Sequence, residues 1–392
     1  MNADGVGLPG SSGKFTPRTT TLADPGGGDI TDGVDGEEAG IDGVVFSDSG
    51  RYAFFAVKKP ADRQFYLVRR DLADRSDEIV SVKADGTTPE PIATGFRVNT
   101  ALSAPNYATS GEGRYVAYRT AAGSVNQSDQ MAVRDLQTAE RWTTPVTPRK
   151  VSTFRLSVDG TKVTYITGNG GSADRRVWQA TKGQADAAWL DGCFDPKSCG
   201  SGSPLELGVT PDGNTVMYNF ETEDPASPYL TATNRVMVMD VRTGQKTMPY
   251  VNKGLEFVSV VFSADSSWMI AQVKLGDDFD PQYTLAARRF GTGPFVVADV
   301  LFRGSSDGFD ISNDGERVAW RDGWNSGTYP DPKRMHVYSR STKTNWTAPT
   351  VPNLGHYLDD LVDLAPSGAA VSWRAVDQNE AFLSKPWGAA VG

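Results

Sequence analysis

Ser157-Val158-Asp159-Gly160-Thr161-Lys162-Val163-Thr164-Tyr165 and Ser312-Asn313-Asp314-Gly315-Glu316-Arg317-Val318-Ala319-Trp320 spell one pattern. A hydroxyl residue opens a four-residue turn, Asp precedes a closing Gly, and an apolar strand follows with Val three and an aromatic five positions after the Gly. Gly adopts the positive φ that closes such a turn without steric cost, while Ser, Thr and Asp side chains bond the turn amides. Residues three and five positions on point to one face of a strand, so the pattern is a hairpin with a buried side.

The turn recurs at Ser47-Asp48-Ser49-Gly50, Ser110-Gly111-Glu112-Gly113, Thr210-Pro211-Asp212-Gly213, Ser263-Ala264-Asp265-Ser266 and Ala365-Pro366-Ser367-Gly368, giving seven copies in all. Ser266 stands where the others have Gly, so that turn is expected to be strained or differently closed. The closing residues are separated by 63, 47, 53, 53, 49 and 53 positions. That is the spacing of four-stranded propeller blades. Third strands are expected at Phe65 to Leu72, Met131 to Leu136, Val236 to Val241 and Met335 to Ser339, with short turns such as Thr243-Gly244 leading into a fourth.

Only 24 residues follow Gly368, which is room for a third strand near Ala381 to Ser384 but not for a fourth. The β-prone segment Arg18 to Leu22 is expected to supply the missing outer strand and close the ring. The expectation is therefore all-β: a seven-bladed β-propeller of four-stranded blades over residues 15–392, behind a Gly/Ser/Pro-rich lead-in of residues 1–14.

The repeated turn resembles the WD40-like repeat of TolB-type propellers, usually written Ser-x-Asp-Gly before a short apolar strand. The resemblance covers roughly residues 40–375. It implies the propeller fold and a binding platform; such frames also carry hydrolases, lyases and sensors, so it leaves activity open.

A formal net charge of −9 and a pI near 4.9 argue against a phosphate-binding surface, so nucleic acid is not an expected partner. No apolar run approaches the ~20 residues of a spanning helix, and the chain's first residues lack a basic stretch followed by an apolar one. Cys193 and Cys199 flank a short loop containing Pro196 and are expected to form a disulfide. A disulfide fits an extracytoplasmic (periplasmic, cell-surface or secreted) protein, which would make the chain a processed form.

Catalytic groups are sparse. The two histidines, His336 in an expected third strand and His356 in an expected loop, cannot assemble a His-rich metal centre. Gly304-Ser305-Ser306-Asp307-Gly308 has the form of a nucleophile elbow, but a strand rather than a helix is expected to follow it. No metal site is assigned. The acidic clusters Asp29, Asp32, Asp35, Glu37, Glu38; Glu221, Glu223, Asp224; and Asp277, Asp278, Asp280 have oxygen ligands suited to Ca²⁺, none at EF-hand spacing.

In a propeller the connections from strand two to three and from blade to blade share one face. The unusual sequence collects there: Glu221 to Asn234, Gly276 to Gln282, Asp322 to Arg334 and the Cys193 to Cys199 loop. Glu221, Glu223, Asp224, Asp277, Asp278, Asp280, Tyr283, Trp324, Tyr329 and Trp189 are the candidate binding residues, with Tyr229 and Tyr357 nearby. Aromatics among carboxylates suit a protein or glycan partner.

The expected function is a non-catalytic binding module or scaffold. The alternatives are a glycan-active enzyme working with carboxylates at the central channel, marked by convergent, partly buried carboxylates of raised pKa, and a structural component of a larger surface assembly.

Overall fold

The computed structural model describes residues 28–29, 38–39, 43–93, 107–110, 112–121, 129–147, 149–168, 175–192, 204–223, 232–247, 256–275, 282–290, 296–303, 308–321, 335–347, 354–377 and 384–390. Every regular element among them is a β-strand. After β1 (Gly28–Asp29), the first sheet contains β2 (Glu38–Ala39), β3 (Val45–Phe46), β4 (Tyr52–Lys58), β5 (Phe65–Asp71) and β6 (Asp77–Ile79). The second holds β7 (Tyr107–Ser110), β8 (Tyr115–Arg119), β9 (Met131–Asp135) and β10 (Arg141–Thr143). The third holds β11 (Val151–Leu156), β12 (Lys162–Thr167), β13 (Arg176–Thr181) and β14 (Ala188–Gly192).

The fourth sheet is β15 (Pro204–Val209), β16 (Thr215–Glu223), β17 (Ala232–Asp240) and β18 (Lys246–Thr247); the fifth is β19 (Glu256–Phe262), β20 (Trp268–Leu275), β21 (Gln282–Arg289) and β22 (Val296–Arg303). The sixth is β23 (Phe309–Ile311), β24 (Arg317–Arg321), β25 (Met335–Ser339) and β26 (Thr344–Thr347). The last comprises β27 (Leu354–Leu364), β28 (Ala370–Asp377), β29 (Ser384–Ala390) and, from the other end of the chain, β1.

All strand pairs are antiparallel and run in sequence order from the first strand outward, the arrangement of a propeller blade. In the first sheet β2 and β3 both pair β4. Glu38 opposes Lys58 and Ala39 opposes Val57, but Val45 opposes Phe54, so β2 and β3 are three residues further apart in sequence than their partners on β4.

The inner strands neighbour one another in a closed round: β3 with β7, then β11, β15, β19, β23, β27 and back to β3. An N-terminal strand completes the last sheet, but it is not the expected segment. Gly28 pairs with Gly388 and Asp29 with Trp387, while Arg18 to Leu22 lies outside the described residues. The third strand of that sheet, β29, begins at Ser384 rather than near Ala381. The Thr-rich run Arg18 to Leu22 has the stronger local β propensity, whereas a two-residue strand carries too little to be seen in the sequence.

Each sheet buries both faces. In β4, Ala53 and Phe55 pack with Ala365 and Ala370 of the last sheet, whereas Phe54 and Ala56 pack with Val116 and Tyr118 of the second. The same division recurs at every junction: Val163 and Tyr165 lie against the second sheet, Val318 and Trp320 against the fifth, Val371 against the sixth. A strand sandwiched on both sides reads as a continuous apolar run, which is why Tyr52–Lys58 shows no polar alternation.

The turns behave as their composition requires. Gly50, Gly113, Gly160, Gly213, Gly315 and Gly368 have φ between 67° and 76°, and Ser266 is held at 56°, a left-handed conformation costly for a residue with a Cβ. Ser157 Oγ and Asp159 Oδ1 lie 2.7 Å apart, and the Lys162 amide donates to Ser157 Oγ at 2.9 Å; Ser312, Asp314 and Arg317 repeat the arrangement.

Candidate functional site

The innermost strand of each sheet has one edge without a strand partner, so its backbone groups must be satisfied by side chains or water. The residue five positions before each closing turn residue sits on that strand facing the following sheet. Those residues are Val45, Ala108, Arg155, Gly208, Val261, Asp310 and Asp363. The direction is fixed by packing: a Cβ on Gly208 would lie 2.7 Å from Phe262 of the next sheet, and Val261 packs with Phe309 and Ile311 of the next.

The three charged members of this set bond the backbone of the next inner strand. Leu364 N–H donates to Asp310 Oδ2 at 2.8 Å, Phe46 N–H donates to Asp363 Oδ2 at 3.1 Å, and Arg155 Nε donates to the Leu207 carbonyl at 3.2 Å. Asp310 Oδ1 also accepts the Ile311 amide at 2.7 Å. Each side chain therefore ties one inner strand to the next, and the two carboxylates fall on consecutive sheets where the round closes.

Burial disfavours the charged form of both acids. It pushes Asp310 up to about 6, against the opposing pull of the Leu364 and Ile311 amides and of the Arg155 charge. Asp363 is raised well above the carboxylate range, first by burial and then by the negative charge of Asp310, with the Phe46 amide and Arg155 pulling the other way. All three residues are intermediate in exposure, on inner strands whose free edges face the axis of the round, and burial of the two carboxylates is the first cause of their raised pKa values. Arg155 acts electrostatically on both acids from the third sheet.

A group whose folded pKa is raised binds protons more tightly when folded, so stability falls as pH rises from the unfolded pKa near 3.8 to the folded value near 6 and is constant above. Asp363→Asn keeps an acceptor for the Phe46 amide and removes the second charge. It should raise unfolding free energy by roughly 1–2 kcal/mol at pH 7.5 and by little at pH 4. Urea midpoints at the two pH values check this; an equal effect at both would show that charge repulsion is not the cause.

At the hairpin-turn end, a collar of bonds joins neighbouring turns at each junction but that of the fourth and fifth sheets. Ser49 Oγ donates to Glu112 Oε2 at 2.5 Å, Ser110 Oγ to the Val158 carbonyl at 3.4 Å, and Val158 N to the Pro211 carbonyl at 2.7 Å. Asp265 N donates to Asn313 Oδ1 at 2.9 Å, Asn313 N to the Pro366 carbonyl at 2.7 Å, and Ser367 N to the Asp48 carbonyl at 2.9 Å. Asp48 is held here with its pKa raised by burial and by the carboxylates of Glu112 and Asp265. The second hairpin turn of several sheets is bound to the same end, as in Arg51 with Asp71 at 2.7 Å and Arg114 with Asp135 at 2.7 Å. This face, plain in sequence, is a braced one.

The antiparallel order puts the other connections at the opposite end. Glu221 and Glu223 lie in the extension of β16, and Tyr283 lies in β21, not in a loop. Asp224, Asp277, Asp278, Asp280, Trp324 and Tyr329 lie outside the described residues, as do Cys193, Cys199 and Gly304 to Asp307. Trp189 stands on the outermost strand β14, 44% exposed, with Nε1 donating to the Asp191 carbonyl at 2.9 Å. His356 belongs to β27 rather than to a loop. His336 is in the expected third strand, stacked 5.0 Å from Trp320 with Nδ1 3.0 Å from Thr347 Oγ1. Among the described residues no three His, Cys, Asp or Glu side chains group as metal ligands, and no helix is long and apolar enough to cross a membrane.

Sequence reading passed over Arg155, Asp310 and Asp363. The signal was present, since a charge at the fifth position before the turn breaks an otherwise small or apolar column. It became meaningful only once the column was known to line one ring.

No family model matches the chain, and no curated protein matches its sequence. Solved structures do match. An oligogalacturonate lyase from Vibrio parahaemolyticus is similar at 14% identity, with 89% of this chain and 88% of that chain covered and a TM-score of 0.59. An oligogalacturonate lyase in complex with manganese gives 13%, 89%, 88% and 0.58. The β-propeller domain of the Trilobed protease from Pyrococcus furiosus gives 10%, 90%, 94% and 0.58. At such identities the likeness establishes the fold: this chain is a β-propeller with four-stranded blades, in keeping with the TolB-type repeat.

Proposed function

We propose that the chain is a seven-bladed propeller, one body over residues 15–392, that acts outside the cytoplasm as a binding module and recognises a protein or glycan partner through the face bearing its long connections. The observation that carries this reading is the asymmetry of the two ends. The turn end carries bonds that run from sheet to sheet, whereas the sequence puts its acidic and aromatic residues in the connections that strand order assigns to the other end. Functional contacts concentrate on loops held by a rigid frame.

The test is a pull-down from envelope and culture fractions of the source organism. It compares the wild-type chain, a variant with Glu221, Glu223, Asp224, Trp324 and Tyr329 changed to Ala, and a control with Glu112→Ala on the turn end. One protein or glycan should be retained by the wild type and the control and lost from the five-site variant. Retention by all three would remove the long-loop face as the recognition surface.

A second reading, a carboxylate-based glycan-active enzyme, is favoured by Asp310 and Asp363, whose pKa values are pushed up in the channel. Both carboxylates are also occupied as staples between strands, which supports the binding module first. Turnover of an acidic or neutral polysaccharide that vanishes in Asp363→Asn would reverse that order.

A further inference from the structure

The charged groups of the channel face one another without touching. Arg155 uses Nε on the Leu207 carbonyl, and its two terminal nitrogens have no partner among the described residues. Asp363 accepts the Phe46 amide on Oδ2 and has no partner on Oδ1. Asp310 accepts two amides. Arg155 is felt electrostatically by both acids, yet it forms no ion pair with either. Each group is fixed by its bond to the neighbouring strand, which leaves the Arg155 fork and Asp363 Oδ1 for a third partner. The other four members of the ring, Val45, Ala108, Gly208 and Val261, are small or apolar and offer no competing charge.

From this opposed arrangement we infer that the axial channel is a binding site for a small zwitterion, an ω-amino carboxylate, whose carboxylate is taken by the free fork of Arg155 and whose ammonium lies between Asp310 and Asp363. The planar fork of Arg matches a carboxylate with two parallel bonds. At the other end the ammonium replaces the proton that the crowded acid pair otherwise retains, so both carboxylates ionise on binding and the released proton goes to solvent. The ligand enters from the long-connection end, since the turn end carries the collar. Other ionisable groups near the ring are Asp48, Glu112 and Asp265 at the turn end. The site is independent of the partner face proposed above.

Isothermal titration of the full chain at pH 7 with glycine, β-alanine and successively longer ω-amino acids tests the inference. One chain length should bind saturably, and repeating the titration in buffers of different ionisation enthalpy should register proton release. Arg155→Met and Asp363→Asn should each weaken binding about tenfold or more, Arg155→Lys less, and the collar variant Asp48→Asn not at all. A hydroxy acid of the same length should bind at least about tenfold more weakly, because it cannot displace the proton. Unchanged circular dichroism of the variants separates loss of binding from loss of fold. Absence of saturable binding across the series, or binding that survives Arg155→Met, overturns the site; equal affinity for the hydroxy acid overturns the zwitterion assignment.

Discussion

Asp129→Ala should lower the unfolding free energy by roughly 3–5 kcal/mol, the penalty for leaving a buried charge without its partner. Asp129 is fully buried just before β9, and its carboxylate accepts Arg119 Nη2 at 2.8 Å, the Val151 amide at 2.7 Å and Lys150 Nζ at 3.4 Å. Its backbone is equally committed: the Thr147 amide donates to the Asp129 carbonyl at 2.8 Å, and the Asp129 amide donates to Thr147 Oγ1 at 3.1 Å. One residue thus joins the second strand of the second sheet to the start of the third sheet. Removing its carboxylate takes from Arg119, 2% exposed, the acceptor at 2.8 Å in a site that water cannot enter without opening the junction. Asp129→Asn, which keeps one acceptor, should cost less. Urea unfolding gives the magnitude, and amide exchange at Val151 gives the location. A loss below about 1 kcal/mol would mean that Arg119 finds another acceptor and that the junction does not depend on this carboxylate.

Gly315→Ala should cost roughly 2–4 kcal/mol, more than the backbone alone explains. At φ 69° any L-residue pays about 1–2 kcal/mol for the left-handed region. In addition, a Cβ at this position would fall 2.1 Å from Cε2 and 2.4 Å from Cδ2 of Trp268, the first residue of β20 in the preceding sheet. Trp268 is itself covered by the Arg340 guanidinium, 4.8 Å from its ring, so it cannot simply swing aside. Gly244→Ala provides the control: its φ is 71° and nothing lies within 4 Å, so only the backbone term, about 1 kcal/mol, should remain. On a Trp268→Ala background Gly315→Ala should fall toward the same value. Equal costs at 315 and 244 in the otherwise unchanged protein would discard the packing contribution.

The Gly315 contact belongs to a series that explains the one exception among the turns. Gly160 packs on Tyr115, Gly213 on Lys162, Gly368 on Arg317 and Gly50 on Ala370, in each case the residue two positions after the closing turn residue of the preceding sheet. For Ser266 the corresponding residue is Thr215, which is smaller than Tyr, Trp, Lys or Arg. A Thr at that place leaves more room for the Cβ of Ser266 than Tyr, Trp, Lys or Arg would, while the φ of 56° is still left-handed. The sequence showed that Ser266 departs from the pattern; the tolerance for it lies in a residue of another repeat.

The local chemistry by itself determined the hairpins. Hydroxyl, Asp and Gly at fixed offsets, followed by apolar residues at period two, are short-range signals, and they recur at blade spacing from Gly50 to Gly368. Third strands at Phe65, Met131 and Met335 follow from the same reasoning and begin where it placed them. Ring closure was legible only as a need: the last repeat is short by a strand, but the choice of Gly28–Asp29 rests on pairing with Gly388 and Trp387, a contact between chain ends that carries no local pattern. The channel set lay further out of reach. Asp310 and Asp363 are adjacent across a sheet junction and Arg155 acts on them from the third sheet, so their meeting depends on the rotation from sheet to sheet. That rotation is set by seven interlocking apolar interfaces acting together, and no single repeat encodes it.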